Sequence, residues 1–258
     1  MIPIRDSIAP VHTPFVNNTI IAICACAFLW ELMSGNGGQQ VIERFGMIPL
    51  RLSDADAVAS IPIREMVQTP IGPMVRETSQ ALAPSAIAPW LTLITCMFLH
   101  GGWMHFLGNM WFLHVFGDNV EDRFGHFGYL MLYIGTGVLA GLAHWAAESD
   151  SPIPTVGASG AIAGVMGAYA LLYPHAKVLS VLPIFIFLQT FVVPAPIFLG
   201  IWFAIQMFSG IASSAGSTGV AWWAHIGGFV AGIALAMMVK MVDYGRTETT
   251  LASREHRF

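Results

Sequence analysis

The sequence predicts an all-α membrane protein, a bundle of six transmembrane helices with a long first loop at the membrane interface. The 11 basic and 15 acidic residues make up only 10% of the 258 residues, whereas soluble domains carry about 25% charged residues. Hydrophobic residues account for 55% of the chain. The charges also leave apolar intervals as long as the roughly 20 residues that a helix needs to cross a bilayer. This composition excludes a soluble domain and a disordered chain.

Net charge and cysteine positions narrow the class of function. A net charge of −4, without any cluster of Lys and Arg, argues against nucleic-acid binding, because nothing would displace counterions from the phosphates. The three cysteines, Cys24, Cys26 and Cys96, all lie in apolar segments. This is typical of small buried hydrophobic residues and not of a disulfide framework.

The charge-free intervals place the six spans in order along the chain. We expect them at residues 15–33, 90–117, 127–147, 156–173, 196–212 and 220–241. Residues 178–194 are apolar but bounded by Pro183 and Pro194. They are predicted to form a re-entrant or interfacial segment, with a seventh span as the alternative.

The remaining segments are predicted to lie outside the bilayer. Residues 1–14 form an N-terminal cytoplasmic arm, and residues 243–258 form a charged cytoplasmic tail. The membrane domain then comprises residues 15–242. Residues 35–89 mix arginines and acidic residues with short apolar stretches, none of them long enough to span. We therefore expect this long loop at the outer membrane interface.

The distribution of basic residues predicts the orientation. Arg123 follows the second span, Lys177 the fourth and Lys240 the sixth, whereas the loops after the third and fifth spans contain no Lys or Arg. By the positive-inside rule both termini face the cytoplasm, and the second, fourth and sixth spans enter from the outer face. Because no transit peptide is present, we expect a multi-pass protein of a bacterial inner membrane.

Strongly polar side chains lie in those same three spans. His100, His105 and Asn109 lie in the second, Ser159 in the fourth and His225 in the sixth. Such groups are costly inside a bilayer and therefore indicate a functional site. Residues near the N-terminal ends of three helices that enter from one face lie at similar depth. We expect these side chains to meet if the helices pack together.

These residue types suit acyl transfer. A serine hydroxyl needs a neighbouring base, and His225 can take the proton of Ser159. His105, the Asn109 amide and the Ser159 backbone N–H are suitable donors to the oxyanion of a tetrahedral intermediate. Because no Asp or Glu lies at that depth, we expect a Ser–His dyad without a third member.

Glycines support close packing around this site. Gly157 and Gly160 flank Ser159 and would let a substrate backbone approach. The fourth and sixth spans are predicted to pack tightly on their neighbours through Gly160-x-x-x-Gly164 and Gly228-x-x-x-Gly232.

Three stretches of sequence resemble the signatures of rhomboid intramembrane serine proteases. They are Gly-Ala-Ser-Gly at 157–160, Ala-His-Ile-Gly-Gly at 224–228, and His-Gly-Gly-Trp-Met-His-Phe-Leu-Gly-Asn at 100–109. The resemblance extends over residues 90–242. It implies a six-helix rhomboid core, with neither metal nor cofactor, that cleaves transmembrane segments of other membrane proteins near the outer face.

The resemblance also implies a role for each residue. Ser159 matches the nucleophile, His225 its base, and His105 and Asn109 the oxyanion site, while the second and fifth spans flank the entry of the substrate. For His100, both a role in support of catalysis and a structural role remain as alternatives. Some members of the family carry a tyrosine four residues after the serine, packed on the histidine. Here Ala163 occupies that position, so another residue must position the His225 ring.

Other functions remain open as alternatives. A membrane metalloprotein could use His100, His105 and His225 as ligands, although acidic ligands and an H-E-x-x-H motif are lacking. A transporter, or a catalytically inactive relative that binds transmembrane helices, is the alternative outside enzymes, and no inverted repeat is detectable.

Overall fold

The computed structural model describes residues 1–69, 72–184, 187–213 and 221–255. The fold is mostly helical. Its α-helices are α1 (Phe15–Met33), α2 (Gln39–Phe45), α3 (Pro49–Ser53), α4 (Thr92–Thr95), α5 (Trp103–Ala147), α6 (Ser159–Leu172), α7 (Ala195–Ser213) and α8 (Trp222–Glu255). Single 3-10 turns occur at Asn36–Gly38, Pro89–Leu91 and Cys96–Phe98.

By length and apolar composition, three of the described helices could cross a membrane. They are Phe15–Met33, Trp103–Ala147 and Trp222–Met241. Shorter apolar helices occur at Pro89–Phe98, Ser159–Leu172 and Ala195–Ser209. The bundle helices therefore overlap every one of the six predicted spans.

Helix α5 consists of two segments that fold back on each other. Gly125 has a φ of 70° and a ψ of 165°, which no helix accommodates, and it interrupts the 45-residue helix. Leu113 and Tyr129, on either side of this break, both hydrogen-bond the Asn17 side chain of α1, at 3.3 and 2.7 Å. The two segments correspond to the predicted second and third spans.

The predicted start of the second span, at residue 90, was wrong. The long helix begins only at Trp103, because Gly102 has a φ of 151°, in the left-handed region that glycine tolerates. Residues 89–98 form consecutive short helical turns, and extended backbone from Leu99 separates them from α5. The helix also continues past residue 117, through the segment that was predicted to be a connector.

The fold is mostly helical, as the sequence predicted, but the described residues also form five strands. Strands β4 (Lys177–Ile184) and β5 (Phe187–Pro194) pair antiparallel, from Lys177 opposite Pro194 to Ile184 opposite Phe187. Strands β4 and β5 thus form a hairpin in place of the alternative seventh helical span, and the re-entrant or interfacial location of residues 178–194 stays a prediction. Their β-branched and aromatic side chains are typical of strands.

The N-terminal arm joins this sheet. Strand β1 (Ile2–Asp6) pairs antiparallel with β4, with Ile2 opposite Val181 and Asp6 opposite Val178. The sheet order is β1-β4-β5. The first fourteen residues are therefore partly an ordered strand that ties the start of the chain to the connection between α6 and α7.

The long first loop has structure of its own. It contains α2, α3 and an antiparallel hairpin formed by β2 (Ser60–Thr69) and β3 (Gly72–Ala81). Neither of these helices is long enough to span a bilayer, as the sequence predicted. At the other end of the chain, α8 continues to Glu255, so the expected tail begins as an extension of the last helix.

Helix α6 lies at the centre of the bundle. All ten residues from Gly160 to Tyr169 are buried. Its small residues let α5 and α8 approach closely: a Cβ added to Gly164 would lie 2.3 Å from Thr136 of α5, and one added to Gly167 would lie 2.1 Å from the Phe229 carbonyl oxygen of α8. This central position brings the N-terminal ends of three helices together.

Candidate active site

Ser159 is the first residue of α6, directly after a turn that only glycine fits well. Gly157 has a φ of 126°, in the left-handed region. Its N–H donates to the Cys96 carbonyl oxygen at 2.9 Å, which ties the turn to the segment before α5. The first N–H groups of a helix have no partner within it, so the backbone at Ser159 retains donors beside its own hydroxyl.

His225 lies in the first turn of α8, which begins at Trp222. Its Nε2 is 2.8 Å from Ser159 Oγ. The contact expected between the ends of the fourth and sixth spans is thus present, and its length is that of a hydrogen bond. The hydroxyl and the imidazole can exchange a proton without any movement of the helices.

The His105 ring lies against the same turn from the α5 side. The Gly101 N–H donates to His105 Nδ1 at 3.3 Å. A Cβ added to Gly157 would lie 2.6 Å from His105 Nε2, so this ring nitrogen faces the residue two positions before Ser159. A side chain at residue 157 would displace the imidazole, which explains the glycine.

Asn109 lies one turn further along α5. Its Nδ2 donates to the His105 carbonyl oxygen at 2.8 Å, which uses one of the two amide hydrogens. The residue is 8% exposed and lines the same cavity as Ser159 and His225. The second amide hydrogen is therefore available to a group that enters the cavity.

These side chains share one cavity of about 500 Å³. Its wall includes residues of α5, α6, α7 and α8, and none of the described residues that line it carries a charge. Most of the wall is apolar, and its polar side chains include His105, Asn109, Thr155, Ser159, Gln206 and His225. Gly160 lies beside Ser159, where a Cβ would stand 2.7 Å from that of Ala140 in α5.

His100 lies outside the cavity lining. Its ring packs edge-on against that of His105, with centroids 5.3 Å apart, and its buried Nδ1 and Nε2 have no hydrogen-bond partner among the described residues. Its backbone N–H donates to Glu31 Oε1 of α1 at 3.0 Å. These contacts favour the structural alternative for His100.

Two polar residues of the site region were missed by the sequence reasoning. Gln206 of α7 lies 2.6 Å, through Oε1, from His225 Nδ1, and Glu31 anchors the segment at His100. Both side chains are buried. The sequence signal for Gln206 is an amide in a helix, α7, that is otherwise almost wholly apolar.

The metal-site alternative gains no support from the geometry. Across the described ranges, no group of three or more His, Cys, Asp or Glu side chains is arranged to hold a metal ion. Of the three histidines of that alternative, His105 and His225 line the cavity, whereas His100 lies outside its lining and packs against the His105 ring.

Comparison with known proteins identifies the family. The Rhomboid domain family matches residues 88–241, which is more than half of the chain. This range contains Ser159, His225, His105, Asn109 and Gln206. The chain belongs to the rhomboid family, and it is accordingly a multi-pass integral membrane protein with a helical fold.

Its similarity to individual proteins is partial. It is 36% identical over 96 residues to Rhomboid-like protein 11, chloroplastic, of Arabidopsis thaliana, covering 36% of this chain and 34% of that protein. It is 30% identical over 112 residues to the Putative rhomboid protease YdcA of Bacillus subtilis, covering 40% and 56%. Rhomboid protein 1, mitochondrial, of Saccharomyces cerevisiae is 29% identical over 152 residues, covering 55% and 40%. The chain thus matches between 34% and 56% of the length of these relatives.

Proposed function

We propose that the protein is an intramembrane serine endopeptidase that hydrolyses peptide bonds in or near transmembrane segments of other membrane proteins. The observation that carries the proposal is the 2.8 Å contact between Ser159 Oγ and His225 Nε2. It occurs in a cavity of a rhomboid-family chain, and the rhomboid family includes serine proteases.

In the first step His225 acts as general base. Its Nε2 accepts the hydroxyl proton while Ser159 Oγ attacks the carbonyl carbon of the scissile peptide bond. The C=O π electrons move to the oxygen, and a tetrahedral intermediate with an oxyanion forms. His225 then carries the proton as an imidazolium.

His105 and Asn109 are the proposed donors to the oxyanion. Because His105 Nδ1 accepts the Gly101 N–H, the neutral ring carries its hydrogen on Nε2, the atom that faces Gly157. The free amide hydrogen of Asn109 and the Ser159 backbone N–H complete the set. Donors fixed in advance in an apolar cavity stabilise the developing charge strongly.

Collapse of the intermediate breaks the peptide C–N bond. The leaving amine takes the proton from His225 Nε2, and the acyl group stays on Ser159 as an ester. A water molecule then gives a proton to His225 and attacks the ester. The released acid and the regenerated Ser159 hydroxyl complete the cycle, with no redox change.

The cavity wall supports entry of the substrate from the side of the bundle. The lining includes Met104, Gly108 and Phe112 of α5 together with Trp202 and Gln206 of α7. We therefore propose that a transmembrane substrate moves from the lipid bilayer to Ser159 between the second and fifth spans. The proposed partners of the protein are thus its transmembrane substrates and the bilayer itself.

The proposed topology has six spans and both termini in the cytoplasm, in a bacterial inner membrane. The domain bounds are those predicted, with a membrane domain at 15–242 between the N-terminal arm and the tail. Ser159 then lies near the outer face, because α6 enters from there.

Cleavage of a single-span membrane protein by the purified protein in detergent tests the proposal. Wild type should release two fragments, whose masses locate the cut, and Ser159→Ala should release none. Ser180→Ala is the matched control, since Ser180 is a fully buried serine on β4, outside the cavity, and should retain cleavage. Equal cleavage by Ser159→Ala and wild type would contradict the proposal.

A further inference from the structure

The second nitrogen of the His225 ring has its own partner. Gln206 Oε1 lies 2.6 Å from His225 Nδ1, on the side of the ring opposite Ser159. Gln206 is only 8% exposed, and it projects from the middle of α7. A buried amide in an apolar helix is costly unless it is hydrogen-bonded, so this contact accounts for its place.

The contact fixes the tautomer of the imidazole. An amide oxygen only accepts hydrogen bonds, so His225 Nδ1 carries the ring hydrogen. The Nε2 atom is then the unprotonated nitrogen, and it is the one that faces the Ser159 hydroxyl at 2.8 Å. The opposite tautomer would direct an N–H at Ser159 and could not remove its proton.

Aromatic rings restrict the imidazole on its other sides. The Trp202 ring of α7 lies 5.8 Å from that of His225, tilted by 41°. The Trp222 ring lies 6.1 Å away and is perpendicular to it. The Trp202 and Trp222 rings therefore flank the His225 imidazole, whereas residue 163, four positions after Ser159, is an alanine.

We propose that Gln206 is a positioning residue that holds His225 in the base-competent tautomer, as a neutral third member beside Ser159 and His225. This inference rests on the proposed function. A neutral acceptor suits the site, because a buried carboxylate would need further partners to offset its desolvation, and no charged side chain lies among the described residues of the cavity wall.

Two substitutions separate positioning from packing. Gln206→Met keeps the length of the side chain and removes the acceptor, whereas Gln206→Glu keeps an oxygen at the same position. Met207→Leu is the control, since Met207 is the next residue and is 39% exposed. Each variant is assayed for kcat and KM on the single-span substrate, and for the rate at which a fluorophosphonate probe labels Ser159.

We expect Gln206→Met to lower kcat and the labelling rate by roughly tenfold to a hundredfold, the effect of one lost buried hydrogen bond. KM should stay unchanged, and Met207→Leu should stay near wild type. Gln206→Glu keeps an acceptor oxygen for Nδ1 but adds a buried carboxylate, so it should lose activity to a smaller extent than Gln206→Met. Labelling of Gln206→Met at the wild-type rate would overturn the inference while leaving the protease function intact. So would a loss in Gln206→Glu as large as in Gln206→Met. A wild-type protein that is neither labelled nor active would instead overturn the proposed function.

Discussion

The carbonyl oxygen of Gly164 in α6 faces Gly232 in α8 so closely that a Cβ at residue 232 would lie 1.8 Å from it. A Cβ at residue 228 would likewise lie 2.0 Å from the carbonyl oxygen of Gly160. Each pair is one helical turn from the next, so the two Gly-x-x-x-Gly motifs pack face to face. This packing confirms the tight contact that the sequence predicted, and it sets the separation of the helices just below Ser159.

Replacement of Gly232 by alanine should destabilise the protein. No atom can occupy a position 1.8 Å from a carbonyl oxygen, so α6 and α8 must move apart, at a cost of about 1–3 kcal/mol or more. Unfolding by SDS in mixed micelles measures the change. Gly200→Ala on α7 is the control, since a Cβ there meets nothing within 4 Å; equal stability of the two variants would contradict the packing.

Asn109→Ala should lower kcat with little change in KM. Loss of one oxyanion donor typically costs about tenfold to a thousandfold in kcat, because the interaction strengthens only as the charge develops. Asn18→Ala, at an exposed asparagine of α1, should match wild type in the same cleavage assay. A rise in KM at constant kcat would make Asn109 a substrate-binding residue instead.

Activity should be unchanged in excess EDTA. The proposed reaction uses a serine hydroxyl and an imidazole, and neither step requires a metal ion. The measurement is the rate of substrate cleavage before and after dialysis against the chelator. Inactivation by EDTA that zinc reverses would instead favour the alternative in which His100, His105 and His225 bind a metal.

The position of the helices could be predicted because charge is so scarce. The scarcity of charged residues placed the first and fifth helices to within a residue, at Phe15–Met33 and Ala195–Ser213. The alternation of the spans also predicted that Ser159 and His225 would meet. These inferences required only chain length and the polarity of single residues.

The strands could not be predicted by the same reasoning. An interval without charge gives a length but not a conformation, whereas the strand conformation of residues 178–184 and 187–194 depends on the pairing of β4 with both β5 and β1. The start of α5 at Trp103 depends on the backbone conformation of Gly102. Pairing between β1 and β4 joins residues far apart in sequence, which no local pattern encodes.

Gln206 was missed for a different reason. The polar residues that the sequence singled out lie in the second, fourth and sixth spans, whereas Gln206 lies in the fifth, which contains no histidine. Its importance depends on which atom of His225 it contacts, and that contact joins two helices across a loop. Only the packed structure shows it.

Covalent labelling of Ser159 by a fluorophosphonate probe tests the central claim most directly, because the probe reacts only with an activated hydroxyl. Peptide mass mapping of the wild-type protein should find the adduct on Ser159. His225→Ala should lose it, and His175→Ala, at an exposed histidine after α6, should keep it. Labelling of His225→Ala at the wild-type rate would show that His225 does not activate Ser159, in contradiction of the dyad.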